Sequence, residues 1–295
     1  MLTAEPSRES LAAEMGGVRS LGELLTAWKG WVPRCANSNC ARTALAHAMA
    51  RLNSGVFIAE EWFCGPDCFE QALLRQLLVM MSSRYLQEPA PRLRVPLGLV
   101  LHSRGDLTAE QLKIALEEQS KTNENLGEVV QRLGFVTAEQ VTAAVATQWS
   151  CPVFSLANRQ LVPRVYIPRH LLELYGLLPV HFSETGRRLM VGFVSRVQYH
   201  ILHTIEHITE CVTAPCFITA REYRDKLNSP AFVERSNEII MEQISGPIEM
   251  ARLARNYVSQ VAAQRTRFGV CRDYLWMRIW APRNEMDLLF RLQRP

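Results

Sequence analysis

At 295 residues, 48% of them apolar and 21% charged, the chain can bury the cores of two or three domains and has an ordinary globular composition. Its net charge of +4 comes without any Lys/Arg block, which removes electrostatic support for nucleic-acid binding, and no stretch reaches the roughly 18 apolar residues of a membrane span. The opening Met-Leu-Thr-Ala-Glu-Pro has no basic-then-apolar leader, and eight cysteines in such a chain read as reduced thiols, some holding metal. The expected compartment is the cytoplasm, and the expected fold is α+β and multidomain.

Residues 1–90 read as a zinc-finger-like module. A polar leader and one amphipathic stretch, Leu21 to Trp28, precede Cys35-Ala-Asn-Ser-Asn-Cys40 and Cys64-Gly-Pro-Asp-Cys68. Two tight cysteine pairs about two dozen residues apart suit a tetrahedral zinc ion, each pair supplying two thiolates from one turn. Gly65-Pro66-Asp67 places proline and an acid in the first turn of a helix continuing from Phe69 to Met81. Cys64 and Cys68 therefore sit at a helix N-terminus, where the dipole favours thiolates. Gly55 to Ile58 and Trp62-Phe63 read as short strands, and knuckle, hairpin and helix together resemble a treble-clef zinc finger. The zinc ligands are Cys35, Cys40, Cys64 and Cys68; His47, in Ala-Leu-Ala-His-Ala-Met-Ala, reads as a helix-face histidine. No catalytic acid or base accompanies the quartet, so the metal is expected to be structural. Pro89-Ala-Pro91 reads as a linker, stiffened by its prolines, between this module and the next.

Residues 94–227 open with a repeat. At an offset of 29, residues 97–119 align with 126–148: the pairs Leu97-Gly98 and Leu126-Gly127, then Gly105 and Gly134, Thr-Ala-Glu-Gln from Thr108 and from Thr137, and finally Gln119 and Gln148. Each copy predicts a short apolar helix ended by a left-handed glycine, then a capping box opening a second helix. Gly98 and Gly127 stand where a backbone or a ligand could approach closely. The pattern resembles the N-terminal domain of the type II secretion and type IV pilus assembly ATPases, the GspE/MshE N-terminal family. That resemblance implies a helical repeat followed by a small α/β lobe over residues 150–227. In one branch of the family the paired motifs form a cyclic di-GMP site, which would place Leu97, Gly98, Gln119, Leu126, Gly127 and Gln148 at a nucleotide. The family's basic residue directly before Leu-Gly is Pro96 in the first copy and Asn125 in the second, with Arg92 and Arg94 nearby.

Within the lobe, Pro152 to Leu156 reads as a strand, Pro168 to Tyr175 as a helix, and Leu178–Phe182 with Arg188–Phe193 as a hairpin. Tyr199 to Thr209 is a helix, Val212 to Ile218 a strand and Ala220 to Leu227 a final helix. Related domains often carry an Ala-x-x-Asp-Pro turn after the Val-Gly-Phe strand; here it is Val194-Ser195-Arg196-Val197. His200, His203 and His207 share a side of their helix at metal-compatible spacing, but no Glu or Cys completes a ligand set, so they read as a solvated face. Cys211, Cys216 and Cys271 read as buried thiols. Residues 228–295 are expected to form a C-terminal αββ module. Its parts are helices over 237–244 and 247–264 and strands over 274–280 and 285–292, with the polar residues of the strand pair facing one way.

No Gly-x-x-x-x-Gly-Lys-Ser/Thr loop occurs anywhere, and neither Lys113 nor Lys121 lies in a glycine loop, so phosphoryl chemistry of the secretion-ATPase kind lacks its cradle. No nucleophile–base pair or carboxylate dyad stands out, and the chain reads as no enzyme. The expectation is a regulatory or adaptor protein that binds a secretion or pilus assembly component through residues 94–227. The alternatives are a cyclic di-GMP receptor, with Arg92 or Arg94 supplying charge, and an enzyme whose site assembles from distant residues.

Overall fold

A computed structural model describes residues 34–82, 94–233 and 237–292, apart from Asn123, Asn158, Gln160, Val162 and Pro163. Leu21 to Trp28, the Pro89–Pro91 linker and Arg92 lie outside the described residues. The chain divides into two compact units, one of residues 1–77, 247–266 and 280–282, the other of 78–246, 267–279 and 283–295. Residues 228–295, expected as one module, are thus shared between the two.

The first unit begins where the Thr43 hydroxyl accepts from the Ala46 amide and starts helix α1 (Ala44–Asn53). This helix separates the Cys35–Cys40 turn from the hairpin of β1 (Val56–Ile58) and β2 (Glu61–Phe63), an insertion in the expected knuckle–hairpin–helix order. Helix α2 (Pro66–Ser82) then starts on Pro66 and Asp67, as their first-turn preferences require. Val56, Ile58, Trp62, Phe63, Phe69, Leu73 and Leu77 are buried.

The second unit contains the repeat as four helices: α3 (Leu97–Ser103), α4 (Ala109–Thr122), α5 (Leu126–Arg132) and α6 (Ala138–Trp149). Gly105 and Gly134 take left-handed φ of 78° and 69° and turn each short helix into its longer partner. Both capping boxes form. The Thr108 and Thr137 hydroxyls accept from the Gln111 and Gln140 amides at 3.2 Å, and each glutamine side chain accepts in return from its threonine's amide.

The lobe follows in the expected order: α7 (Arg169–Tyr175), β3 (Leu177–Ser183), β4 (Arg188–Phe193), α8 (Tyr199–Thr209), β5 (Val212–Phe217) and α9 (Ala220–Leu227). Strands β3 and β4 pair antiparallel around Gly186, and β5 joins β4 in parallel. Residues 152–156, expected as a strand, contribute only the single bridge Val153 to Phe217. A short helix α10 (Pro230–Val233) ends this part.

The C-terminal stretch departs furthest from expectation. Residues 238–241 form strand β6 (Glu238–Met241), where a helix was predicted. Ile239 and Ile240 suit a strand, and a distant partner, β9 (Glu285–Arg291), pairs with it in parallel, Ile239 opposite Leu288. Helix α11 (Pro247–Gln260) stops four residues early, before an unforeseen strand, β7 (Arg265–Cys271), and β8 (Tyr274–Trp280) completes the set. In the first unit Arg265 and Thr266 of β7 pair in parallel with Phe57 and Ile58, and Arg255 of α11 bonds Asp67 at the start of α2. In the second unit the remainder of β7 is followed across the sheet by β8, β9 and β6. Of the polar residues expected to face one way, Arg278 and Asp287 are 3% and 1% exposed and joined by two bonds of 2.9 Å, while Arg291 is exposed. A hydrophobic alternation rule assigns charged residues outward; a fully paired guanidinium and carboxylate can go inward.

Candidate functional site

Cys35, Cys40, Cys64 and Cys68 converge, as their spacing predicted. Their sulfurs all lie within 4.8 Å of one another, with Cys40 to Cys64 at 3.5 Å and Cys64 to Cys68 at 3.7 Å. A tetrahedron of zinc–sulfur bonds of about 2.3 Å has edges of about 3.8 Å, so these separations fit a tetrathiolate ion site. The group could hold a metal ion, and it is the one such cluster found among the described residues.

Electrostatics point the same way. Burial pushes the Cys64 thiol strongly upward, and its contacts with Cys40, Cys68 and Cys35 push further, since neighbouring thiolates repel. Burial also raises Cys68, against hydrogen bonds from Asn37 and Cys64. At Cys40 burial alone would raise the thiol, but bonds from His47, the Arg42 amide and the two neighbouring thiols outweigh it and bring it down to about 6. Thiolates packed this closely repel one another, and a cation among them would relieve that repulsion.

Several residues that hold the cluster were not read from the sequence as doing so. Asn37, 3% exposed inside the Cys35–Cys40 turn, donates from its side-chain amide to the Gln71 side-chain oxygen Oε1 at 2.9 Å and accepts from Arg75 and from the Asn39 amide. It thereby ties the turn to α2. The Arg42 guanidinium donates to the Cys64 carbonyl at 2.9 Å, and the Ala36 amide donates to the Trp62 carbonyl. His47, read from sequence as a helix-face residue, brings Nε2 to 3.3 Å from the Cys40 sulfur. An asparagine between paired cysteines and a histidine one turn into the next helix are the signals that could have found them.

The repeat residues are placed with near-symmetry. A methyl added at Gly98 would lie 2.6 Å from Leu112 Cδ1 and 3.1 Å from Leu126 Cδ2; one at Gly127 would lie 3.1 Å from Val141 Cγ1 and 3.6 Å from Leu97 Cδ2. Each copy's leucine therefore fills the space over the other copy's glycine. The glutamines repeat the exchange: Gln119 Nε2 donates to the Glu124 carbonyl at 3.1 Å and Gln148 Nε2 to the Val95 carbonyl at 2.6 Å. Both carbonyls lie two residues before a Leu-Gly pair. Asn125 is the N-cap of α5, its amide donating to Glu128, and Pro96 is the N-cap of α3. The Arg94 guanidinium stacks 3.2 Å from the centre of the Trp149 ring.

The histidines of α8 stay apart from any metal set among the described residues: His200 meets the Tyr175 ring edge-on, and exposed His203 pairs with Glu206. Cys211, Cys216 and Cys271 are buried, and burial pushes Cys216 and Cys271 up to about 12.

No protein-family profile matches the chain. A curated relative, the type IV pilus assembly ATPase PilB of Thermus thermophilus, is 24% identical over 121 residues, which make up 40% of this chain and 14% of the relative. The chain thus spans a small part of that relative's length. Among solved structures, that of MshE with cdg shares 23% identity over 45% of this chain and 96% of the neighbour, with a TM-score of 0.38. The N-terminal domain of XpsE shares 15% identity over 44% of this chain and 90% of its own, with a TM-score of 0.33. No helix among the described residues is long and apolar enough to cross a membrane.

Proposed function

We propose that this chain is a non-catalytic regulatory or adaptor protein of type II secretion or type IV pilus machinery, docking a protein component through residues 94–227. The observation that carries the reading is the fate of the repeat's signature residues. Gly98, Gly127, Gln119 and Gln148 are engaged in closing the helical repeat on itself, which makes the domain a built scaffold. The 121-residue match to a pilus assembly ATPase supplies the context, and the sequence carries no phosphate-binding loop. Leu99, Ile114 and Leu116, each about half exposed, offer apolar contact from α3 and α4. The test is calorimetric titration of the purified chain with the cytoplasmic components of a secretion or pilus apparatus. Binding that weakens on Leu99→Asp or Ile114→Asp supports the reading, and absence of binding to every component refutes it.

Cyclic di-GMP binding is the second reading, favoured by the duplicated placement of Leu-Gly and Gln. Against it stand Pro96 and Asn125 at the basic positions and the stacking of Arg94 on Trp149. A charge-assisted phosphate contact contributes roughly 1.5–3 kcal/mol, about ten- to a hundredfold in affinity. Titration should therefore give micromolar binding at best, and tight binding that survives Arg92→Ala and Arg94→Ala would remove this account of the charge.

The ion we assign to Cys35, Cys40, Cys64 and Cys68 is Zn²⁺, in a structural role. When bound it supplies four bonds joining the Cys35–Cys40 turn to α2, with no open position for substrate. Metal analysis of protein prepared without chelators should return about one zinc per chain.

A further inference from the structure

We infer that His47 is a positioning residue of the metal centre, hydrogen-bonding the Cys40 sulfur from outside the coordination sphere and fixing that ligand's orientation. This deepens the zinc reading above and rests on it. Four thiolates around one Zn²⁺ leave two formal negative charges in a site where Cys64 is fully buried, so donors aimed at sulfur are what makes such a site tolerable. His47 Nε2 lies 3.3 Å from Cys40 Sγ, the distance of an N–H···S contact.

The imidazole is held there by the local fold. The His47 amide donates to the Thr43 carbonyl at 3.0 Å in the first turn of α1, three residues beyond Cys40. The ring stands edge-on to Trp62, with centroids 5.9 Å apart and an interplanar angle of 88°. Trp62 is itself buried and packs with Ala50 and Cys64 against the other three cysteines. A ring pinned by helix and indole, with one nitrogen at a sulfur, orients that sulfur instead of competing for the ion. The four mutually close donor atoms are all thiols, already a complete tetrahedral set, and His47 is not among them.

The test uses the full chain loaded with zinc or cobalt(II), in wild type, His47→Phe and His47→Gln, with circular dichroism recorded on each. His47→Phe removes the donor and should weaken zinc binding ten- to a hundredfold in chelator competition, the usual effect of losing an outer-shell partner. His47→Gln keeps an N–H donor and should recover most of it. Cobalt spectra should remain those of a four-sulfur site in all three proteins, and alkylation mapped by mass spectrometry should reach Cys40 first in His47→Phe. Zinc affinity in a folded His47→Phe within threefold of wild type overturns the inference. So does a wild-type cobalt spectrum of three sulfurs and one nitrogen that changes in His47→Gln, because His47 would then be a ligand. Wild-type protein that takes up neither metal overturns the zinc reading itself, a result distinct from binding that ignores His47.

Discussion

Removing one side of the buried pair Arg278–Asp287 should be among the most damaging single changes in the second unit. Asp287 accepts from Arg278 Nε and Nη2 at 2.9 Å each and from the Trp276 indole at 2.6 Å, while Arg278 also donates to the Tyr166 carbonyl at 2.8 Å. Asp287→Ala would leave a guanidinium that is 3% exposed with one hydrogen-bond partner, the Tyr166 carbonyl, beside the Tyr166 and Trp276 rings, and would orphan the indole N–H of a fully buried tryptophan. An uncompensated buried charge of this kind costs about 3–5 kcal/mol, a large part of the stability of an ordinary domain. Replacing both partners by apolar side chains, Arg278→Met with Asp287→Leu, removes the charge together with its need and should cost far less than the single change. Guanidinium unfolding of the three proteins measures both quantities, with hydrogen exchange assigning the transition that contains β8 and β9. A loss below about 1 kcal/mol in Asp287→Ala, or a double variant as unstable as the single, would refute the argument that pairing alone makes this burial tolerable.

With Zn²⁺ in the quartet as proposed, Cys64→Ser should abolish metal uptake and the exchange protection of residues 34–77, because structural zinc is worth roughly 10 kcal/mol or more to a small module; mass spectrometry after hydrogen exchange reads this segment by segment. Gln119→Ala and Gln148→Ala should each cost about 1 kcal/mol of stability, the net worth of a hydrogen bond, in thermal or denaturant unfolding. Gly98→Val should cost about 1–3 kcal/mol, since even a methyl there meets Leu112 of its own copy at 2.6 Å and Leu126 of the other at 3.1 Å; unchanged stability would show that this glycine is not closely packed. At Glu222 burial favours the neutral acid, but bonds from Thr219, the Leu156 amide and Ser155 outweigh it and hold the carboxyl below its usual range. A depressed folded value stabilises above the unfolded value near 4.3 and is lost as pH falls through the folded one. Glu222→Gln should therefore flatten that acid limb of a stability–pH curve.

What could be read from the sequence was what is encoded locally. The repeat announces itself by self-similarity, the capping boxes by Thr-x-x-Gln, and helices such as Tyr199–Thr209 and Ala220–Leu227 by periodicity that ends at turn residues. The cysteine quartet was legible because each pair sits within one turn. The rest depended on partners far along the chain. Ile239 has a strand partner because Leu288 lies beside it, and Arg265 begins a strand because Phe57 offers an edge. Gln119 and Gln148 carry amides that could serve a ligand or a backbone carbonyl equally well by composition; only the fold assigns them to Glu124 and Val95. Arg278 and Asp287 read only as polar residues facing one way, because alternation does not register a pair that satisfies itself inside the fold.

The strand pairing at Phe57 also sets an order of events in synthesis. The Phe57 carbonyl accepts from the Thr266 hydroxyl, 209 residues later, and the Phe57 and Ala59 amides donate to Gln264 and Thr266. At translation speeds of about 5–20 residues per second, that separation is roughly 10–40 s of waiting on the ribosome. Throughout it the cysteines and their hairpin are already made, while one strand edge has no neighbour to bond. Contacts this distant in sequence slow folding and leave such edges open to wrong partners. An early-loaded metal ion would keep the nascent hairpin in shape through that interval, until a strand made late closes over one made early.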